Sequence, residues 1–250
     1  MEQNVNFPIA GLTDITIRLG WAQLEIYSDD VEQIQVIVSG DAHTVDSLHA
    51  AVKEGELFIE QPQYGLGTSL DITRGHWLEL CVRVPKAWDQ TIHANTISGL
   101  IVARGLGGSV IELETISGDL KAQKMTAGKL ALKTTAGKIR GEQLLSDWLT
   151  VRTVGSEVTL TDVSARSYRM TTVSGNMELR AQSSFELMDL RTVSGDYKVY
   201  TQVDAVRISM RTVSGRKTIE DVEQSEREGL PAVRLTGVSG NLHMVGIKKA

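Results

Sequence analysis

The sequence predicts an all-β fold: a single-chain parallel β-solenoid (a β-helix) of about eight coils behind a β-rich N-terminal cap. Three observations predict it. A four-residue phrase recurs as Thr96-Ile97-Ser98-Gly99, Thr115-Ile116-Ser117-Gly118, Thr172-Val173-Ser174-Gly175, Thr192-Val193-Ser194-Gly195 and Thr212-Val213-Ser214-Gly215, with degenerate copies ending at Gly137, Ser156 and Gly240. Its fourth positions fall at 99, 118, 137, 156, 175, 195, 215 and 240, spaced by 19 or 20 residues until a last interval of 25. A fixed period of this size marks stacked repeats, each too small to bury its own apolar face. The second observation is period-two alternation on both sides of the phrase, and the third is the lack of any 3.6-residue apolar period, which argues against a helical solenoid.

Residues 1–90 lack the phrase but read as strands at Asp14–Leu19, Ala22–Tyr27, Gln33–Val38, Glu56–Glu60 and Trp77–Val84, with breaks at Gly20, Ser28-Asp29 and Gly55. An open solenoid end exposes unpaired backbone, so this segment is expected to cap the rod and to be continuous with it.

From 91 to 250 each repeat supplies two strands and a corner. Five and seven positions before the glycine column stand residues such as Leu113, Leu132, Val151 and Ile111, Leu130, Leu149; two and four positions after it stand Leu120, Ile139, Val158 and Ala122, Leu160, Leu179. The inward parity switches across the phrase, so the phrase is the bend. Glycine is expected there for its tolerance of positive φ, and Asp119, Asn176, Asp196 and Asn241 follow it as turn residues. Strands spaced roughly 4.8 Å apart give eight coils a length of about 38 Å, and general strand chirality favours a right-handed rod. Lys217 is the one clear breach of the inward pattern, to be met either by pairing with Asp221 or Glu223 or by a local register change. An acidic insertion at 221–231 follows it, and the uncovered terminal coil at 235–250 is the expected site of any homo-oligomer contact.

Composition narrows the function classes. Of 250 residues 41% are hydrophobic, enough for a core, while only 5% are aromatic, in keeping with a thin interior. A net charge of −5 argues against nucleic-acid binding. The single Cys81 excludes an internal disulfide and lies opposite the Leu/Val face of its strand. The N-terminus shows neither a basic region nor an apolar run, and no stretch reaches the roughly 20 apolar residues of a spanning helix, so a cytoplasmic location is expected. His43, His49, His76, His93 and His243 are scattered, with no metal-ligand spacing, and no cofactor motif is present. Gly105-Leu106-Gly107-Gly108 lacks the Lys-Ser/Thr of a phosphate loop and reads as a turn.

Two columns could carry function. The Thr ladder from Thr96 to Thr212 would order water if it faced outward, but its parity places it inward at the corner. The other column is basic: Lys133, Arg152, Arg191 and Arg211, with Arg169 and Arg234 two positions further from the corner. Stacked cations repel unless counter-charged, and Glu112, Glu114 and Asp189 share the face. An anionic polymer such as a wall teichoic acid fits such a column, and a solvated mixed face is its bland alternative. A glycosidase would need two carboxylates across a cleft; Asp119 and Asp196 lie in coils separated by several others.

The Thr-Val-Ser-Gly-Asp phrases, following a strand-rich segment that ends near Val84-Pro85-Lys86, resemble the bacterial putative-adhesin family of β-strand-repeat proteins over residues 10–246. That family is a domain of unknown function. The resemblance implies a β-solenoid and an association with the cell envelope and its stress responses. The reading is therefore a non-enzymatic scaffold or binding protein for an unknown protein or an anionic polymer. A self-assembling element stacked through its terminal coil and a carbohydrate-active enzyme stand as the alternatives.

Overall fold

The computed structural model describes residues 1–61 and 77–247; His76 and the last three residues of the terminal coil, 248–250, lie outside them. The chain is all-β and solenoid-like, with one short helix, Ala42–Ser47, among the described residues. Three walls of stacked strands enclose the core, the third being the short ladder of residues 125–127, 144–146 and 163–165. Strands preceding the Thr-x-x-Gly corner build the first wall and those following it build the second. Equivalent residues of successive repeats lie side by side in parallel, as in Leu132↔Val151 and Val151↔Met170 on the first wall and Leu120↔Ile139 and Ile139↔Val158 on the second. The side chains of these six residues are fully buried. At period two, one face of each strand meets the core and the other meets solvent.

The corner works differently from the sequence expectation. No glycine of the phrase has positive φ; among the described residues the positive-φ glycines are Gly11, Gly55, Gly105 and Gly229. The column is glycine because successive corners stack in contact. A Cβ on Gly118 would overlap the carbonyl oxygen of Gly99, and one on Gly137 would overlap that of Gly118. The inward placement of the threonines holds: Thr96, Thr115, Thr134, Thr153 and Thr172 are buried. Each Oγ1 accepts the N–H three residues on, at 3.1 Å from Gly99, 3.0 Å from Gly118 and Gly137, and 2.8 Å from Gly175. This bond satisfies a donor that the bend would otherwise leave buried and unpaired.

A second bend sits six residues after the glycine column. Gly105 there has φ 65°, and Lys124, Gln143 and Asp162 hold φ of 53–54°, a region costly for side-chain-bearing residues. The next residues, Leu106, Met125, Leu144 and Val163, are buried, so the bend returns the chain to the core. Gly105 thus does mark a turn, as its sequence suggested.

Both ends depart from sequential stacking. Asp14–Leu19 lies between Glu56–Glu60 and Thr91–Thr96, and Gln23–Asp29 lies between Leu78–Pro85 and Ile101–Arg104. Beyond them antiparallel strands complete this end: Gln33–Gly40 pairs Leu78–Pro85, Glu2–Pro8 pairs Gln33–Gly40, and His49–Lys53 pairs Glu56–Glu60. At the other end Ala232–Gly237 inserts between Leu187–Thr192 and Ala205–Arg211, while Leu242–Gly246 inserts between Tyr197–Thr201 and Lys217–Glu220. The last repeat in the chain is therefore an interior layer. The expectation that residues 235–250 form the open end is corrected: the outermost repeat is 205–220, covered in part where Glu223–Gln224 pairs Ala205–Val206.

This order explains Lys217. It stands where the core stops, exposed, with Nζ donating to Gln224 Oε1 at 2.6 Å. Neither carboxylate considered from the sequence, Asp221 or Glu223, is its partner.

Candidate functional site

The outward face of the first wall carries the basic column. Register places Glu114, Lys133, Arg152 and Thr171 in one row, continued by Arg191, Thr236 and Arg211. The adjacent row runs Glu112, Ala131, Thr150, Arg169, Asp189, Arg234 and Ser209. All six sequence candidates thus share one face, but their charges are not equivalent.

Lys133 is neutralised. Its Nζ meets Glu112 and lies 3.7 Å from Glu114 Oε2, and Glu112 also faces His93 Nδ1 at 3.5 Å. Arg169 and Arg191 share Asp189, whose side chain is only 12% exposed. Arg191 donates from Nη2 at 2.8 Å and from Nε at 3.1 Å to Asp189 Oδ2, while Arg169 Nε lies 3.6 Å from the same oxygen. The hydrogen bond to Asp189, followed by its charge, pushes the Arg191 guanidinium above its ordinary value. Arg234 lies beside Asp189 in register and forms no ion pair among the described residues; neither do Arg152 and Arg211.

The inserted layer creates a grouping that sequence order does not contain. Arg234 sits beside Ser209, so it lies diagonal to both Arg207 and Arg211 across the ladder. Diagonal neighbours are within reach of long side chains. These three arginines, with Glu226 from the insertion, line a cleft of about 400 Å³. Arg207 was missed from the sequence because the column was read only four and six positions before the glycine; it stands eight before, on the same outward parity.

The turn carboxylates have structural work. Asp119 Oδ1 accepts the Lys138 N–H at 2.8 Å, and Asp196 Oδ1 accepts the Asn241 N–H at 2.9 Å. Asn176 and Asn241 accept the N–H groups of Asp196 and Arg216 in the same way. The Asp and Asn side chains of this column each fix a neighbouring turn, whereas Lys138 and Glu157 pair with each other. Among the described residues no group of three or more His, Cys, Asp or Glu could hold a metal ion, and no helix is long and apolar enough to cross a membrane. Cys81 is half-buried on the outer face, and burial pushes its thiol above the ordinary range even though the Tyr27 hydrogen bond opposes this.

The model of the Toastrack DUF4097 family matches residues 12–244. The chain belongs to this family. The resemblance carried by the Thr-Val-Ser-Gly-Asp phrases is thereby borne out. Solved structures share the Toastrack fold over nearly the whole chain. A protein described as a putative lipid binding protein from Parabacteroides distasonis is 16% identical, with a TM-score of 0.62 and coverage of 99% of this chain and 96% of its own. A putative adhesin from the same organism is 14% identical, with a TM-score of 0.61 over 99% and 97%. Another putative adhesin, from Bacteroides fragilis, is 12% identical at a TM-score of 0.51 over 99% and 97%. No curated protein matches the chain.

Proposed function

We propose that this Toastrack chain is a non-enzymatic binding scaffold whose first-wall face holds an anionic polymer at the cell envelope. The carrying observation is the arginine group at the outermost layers: Arg207, Arg211 and Arg234 around one cleft, without ion-pair partners among the described residues, beside the Asp189-anchored Arg169 and Arg191. A chain of net charge −5 that gathers cations on one face presents a local field opposite to its overall charge. Guanidinium groups suit phosphate and carboxylate because their planar forks donate two parallel hydrogen bonds. Repeats at the strand spacing of about 4.8 Å offer such donors in register to an extended chain of regularly spaced charges. The adhesin and lipid-binding descriptions of the structural neighbours are consistent with binding of this kind. A right-handed rod of about eight coils, capped by residues 1–90, completes the proposed architecture.

The test is titration of the full chain with a glycerol-phosphate polymer and, in parallel, with a neutral glucan. Saturable binding to the first alone, weakened by added salt and by the Arg211→Glu/Arg234→Glu pair, is the expected result. Binding that ignores both charge reversal and salt would rule out the arginine face.

A further inference from the structure

The second wall ends on a strand with an open edge. Lys217–Glu220 pairs Leu242–Gly246 on one side, and no strand pairs its other side among the described residues. The ladder fixes which groups that edge offers. Lys217 lies beside Leu242, and the Leu242 N–H donates to the Arg216 carbonyl at 2.9 Å. In a parallel ladder this turns the backbone polar groups of Arg216 and Thr218 toward the inner neighbour. The N–H and C=O of Lys217 and Ile219 then point out of the open side. Alternation gives the complementary rule for side chains: Arg216, Thr218 and Glu220 share the solvent face, and all three are exposed.

We propose that this edge pairs antiparallel with the same strand of a second copy of the chain, about a two-fold axis at Thr218. Because only Lys217 and Ile219 point their backbone groups outward, an antiparallel partner must match them with each other or each with itself. Matching Lys217 with Ile219 centres the register on Thr218. Its solvent face then sets Arg216 against Glu220, Thr218 against Thr218 and Glu220 against Arg216, which are the pair types that stabilise sheets. Moving the axis to Ile219 leaves Arg216 opposite Val222 and Glu220 opposite Thr218, so both charge matches are lost. Arg216 forms no ion pair among the described residues, and Glu220 uses Oε1 on His243 Nε2 at 2.9 Å, leaving Oε2 for an incoming guanidinium. The far-end strands that have one side unpaired among the described residues do not offer the same match: Glu2–Pro8 contains no Lys or Arg, and His49–Lys53 contains no carboxylate. An isologous contact of this kind closes at two copies. It is independent of the anion-binding reading, since it uses the second wall rather than the first.

The test uses the full chain with Cys81→Ser, so that the only thiol is the one introduced. Opposed residues of a non-hydrogen-bonded antiparallel pair lie about 4.5 Å apart at Cα, within disulfide range. Thr218→Cys is expected to yield a disulfide-linked dimer under mild oxidation, whereas Arg216→Cys and Glu220→Cys, each far from its own copy, are not. Sedimentation velocity of the chain without introduced cysteines should show a dimer that grows in with concentration. Arg216→Glu should abolish it and the double exchange Arg216→Glu/Glu220→Arg should restore it. Lys217→Pro should also abolish it while the monomer stays folded, because that N–H serves no bond within the chain's ladder. A monomer at every concentration, equal cross-linking from positions 216 and 218, or growth past the dimer would each overturn the proposal.

Discussion

Ser146 occupies an inward position that Ala127 and Ala165 fill in the flanking layers, and its buried hydroxyl has no hydrogen-bond partner. An unpaired hydroxyl in a core carries a desolvation cost without return, so Ser146→Ala should raise stability by about 1 kcal/mol, read as a higher urea midpoint at unchanged slope. Two buried tyrosines set the alkaline limit. Tyr168 accepts the Ala165 N–H at 2.9 Å, and burial pushes its phenol up to about 12 against the opposing effect of that bond. Tyr197 is likewise raised by burial, with its hydroxyl 2.6 Å from the Arg191 carbonyl. In the unfolded chain both ionise near pH ~10. Both pKa values are higher in the folded state, so their contribution is full below that pH and is lost as pH climbs toward and past the folded values. Urea midpoints should hold steady up to about pH 10 and fall above it, and Tyr168→Phe should flatten the fall.

Within a repeat, the Thr-x-x-Gly corner was legible because its two ends have separate physical duties. Glycine admits the neighbouring corner's carbonyl, and threonine accepts the glycine N–H. Thr134→Val keeps the volume and removes the acceptor, leaving the Gly137 N–H buried and unpaired. The expected loss is about 1–3 kcal/mol, measurable by thermal or urea unfolding. The second corner was not legible. Lys124, Gln143 and Asp162 have no compositional feature in common, and only Gly105 in the same column hinted at positive φ. Stacking imposes that conformation, and the repeats accept its cost to bury Met125, Leu144 and Val163. The basic column was legible as a face but not as a site. Alternation told which arginines point outward, whereas the split between the neutralised Lys133 and the pair Arg211 and Arg234, without ion pairs among the described residues, depends on neighbours a full period or more away.

For the molecule as a whole, the inserted last repeat changes what a truncation does. Were residues 235–250 the outermost layer, deleting them would leave 205–220 in place. Leu242–Gly246 instead bridges Tyr197–Thr201 and Lys217–Glu220, so the deletion removes the one strand partner that Lys217–Glu220 has among the described residues. Amide hydrogen exchange in the truncated chain should show protection lost over 205–220 and kept over 120–172, because the latter ladders are untouched. Retained protection at 217–220 would mean that the strand order at this end is sequential after all.

The sequence alone determined the all-β class, the period, the inward and outward columns and the corner, because each is a local consequence of side-chain alternation and steric demand at fixed spacing. It also flagged Lys217, although its reason lay elsewhere. The tertiary structure decided the order of the layers at both ends, and with it the grouping of Arg207, Arg211 and Arg234 and the identity of the open edge. The physical reason is that every layer presents nearly the same backbone ladder and apolar columns to its neighbours. Adjacent repeats are then close to interchangeable as partners, and small differences in edge polarity, such as Lys217 in place of an apolar residue, select which one ends the stack.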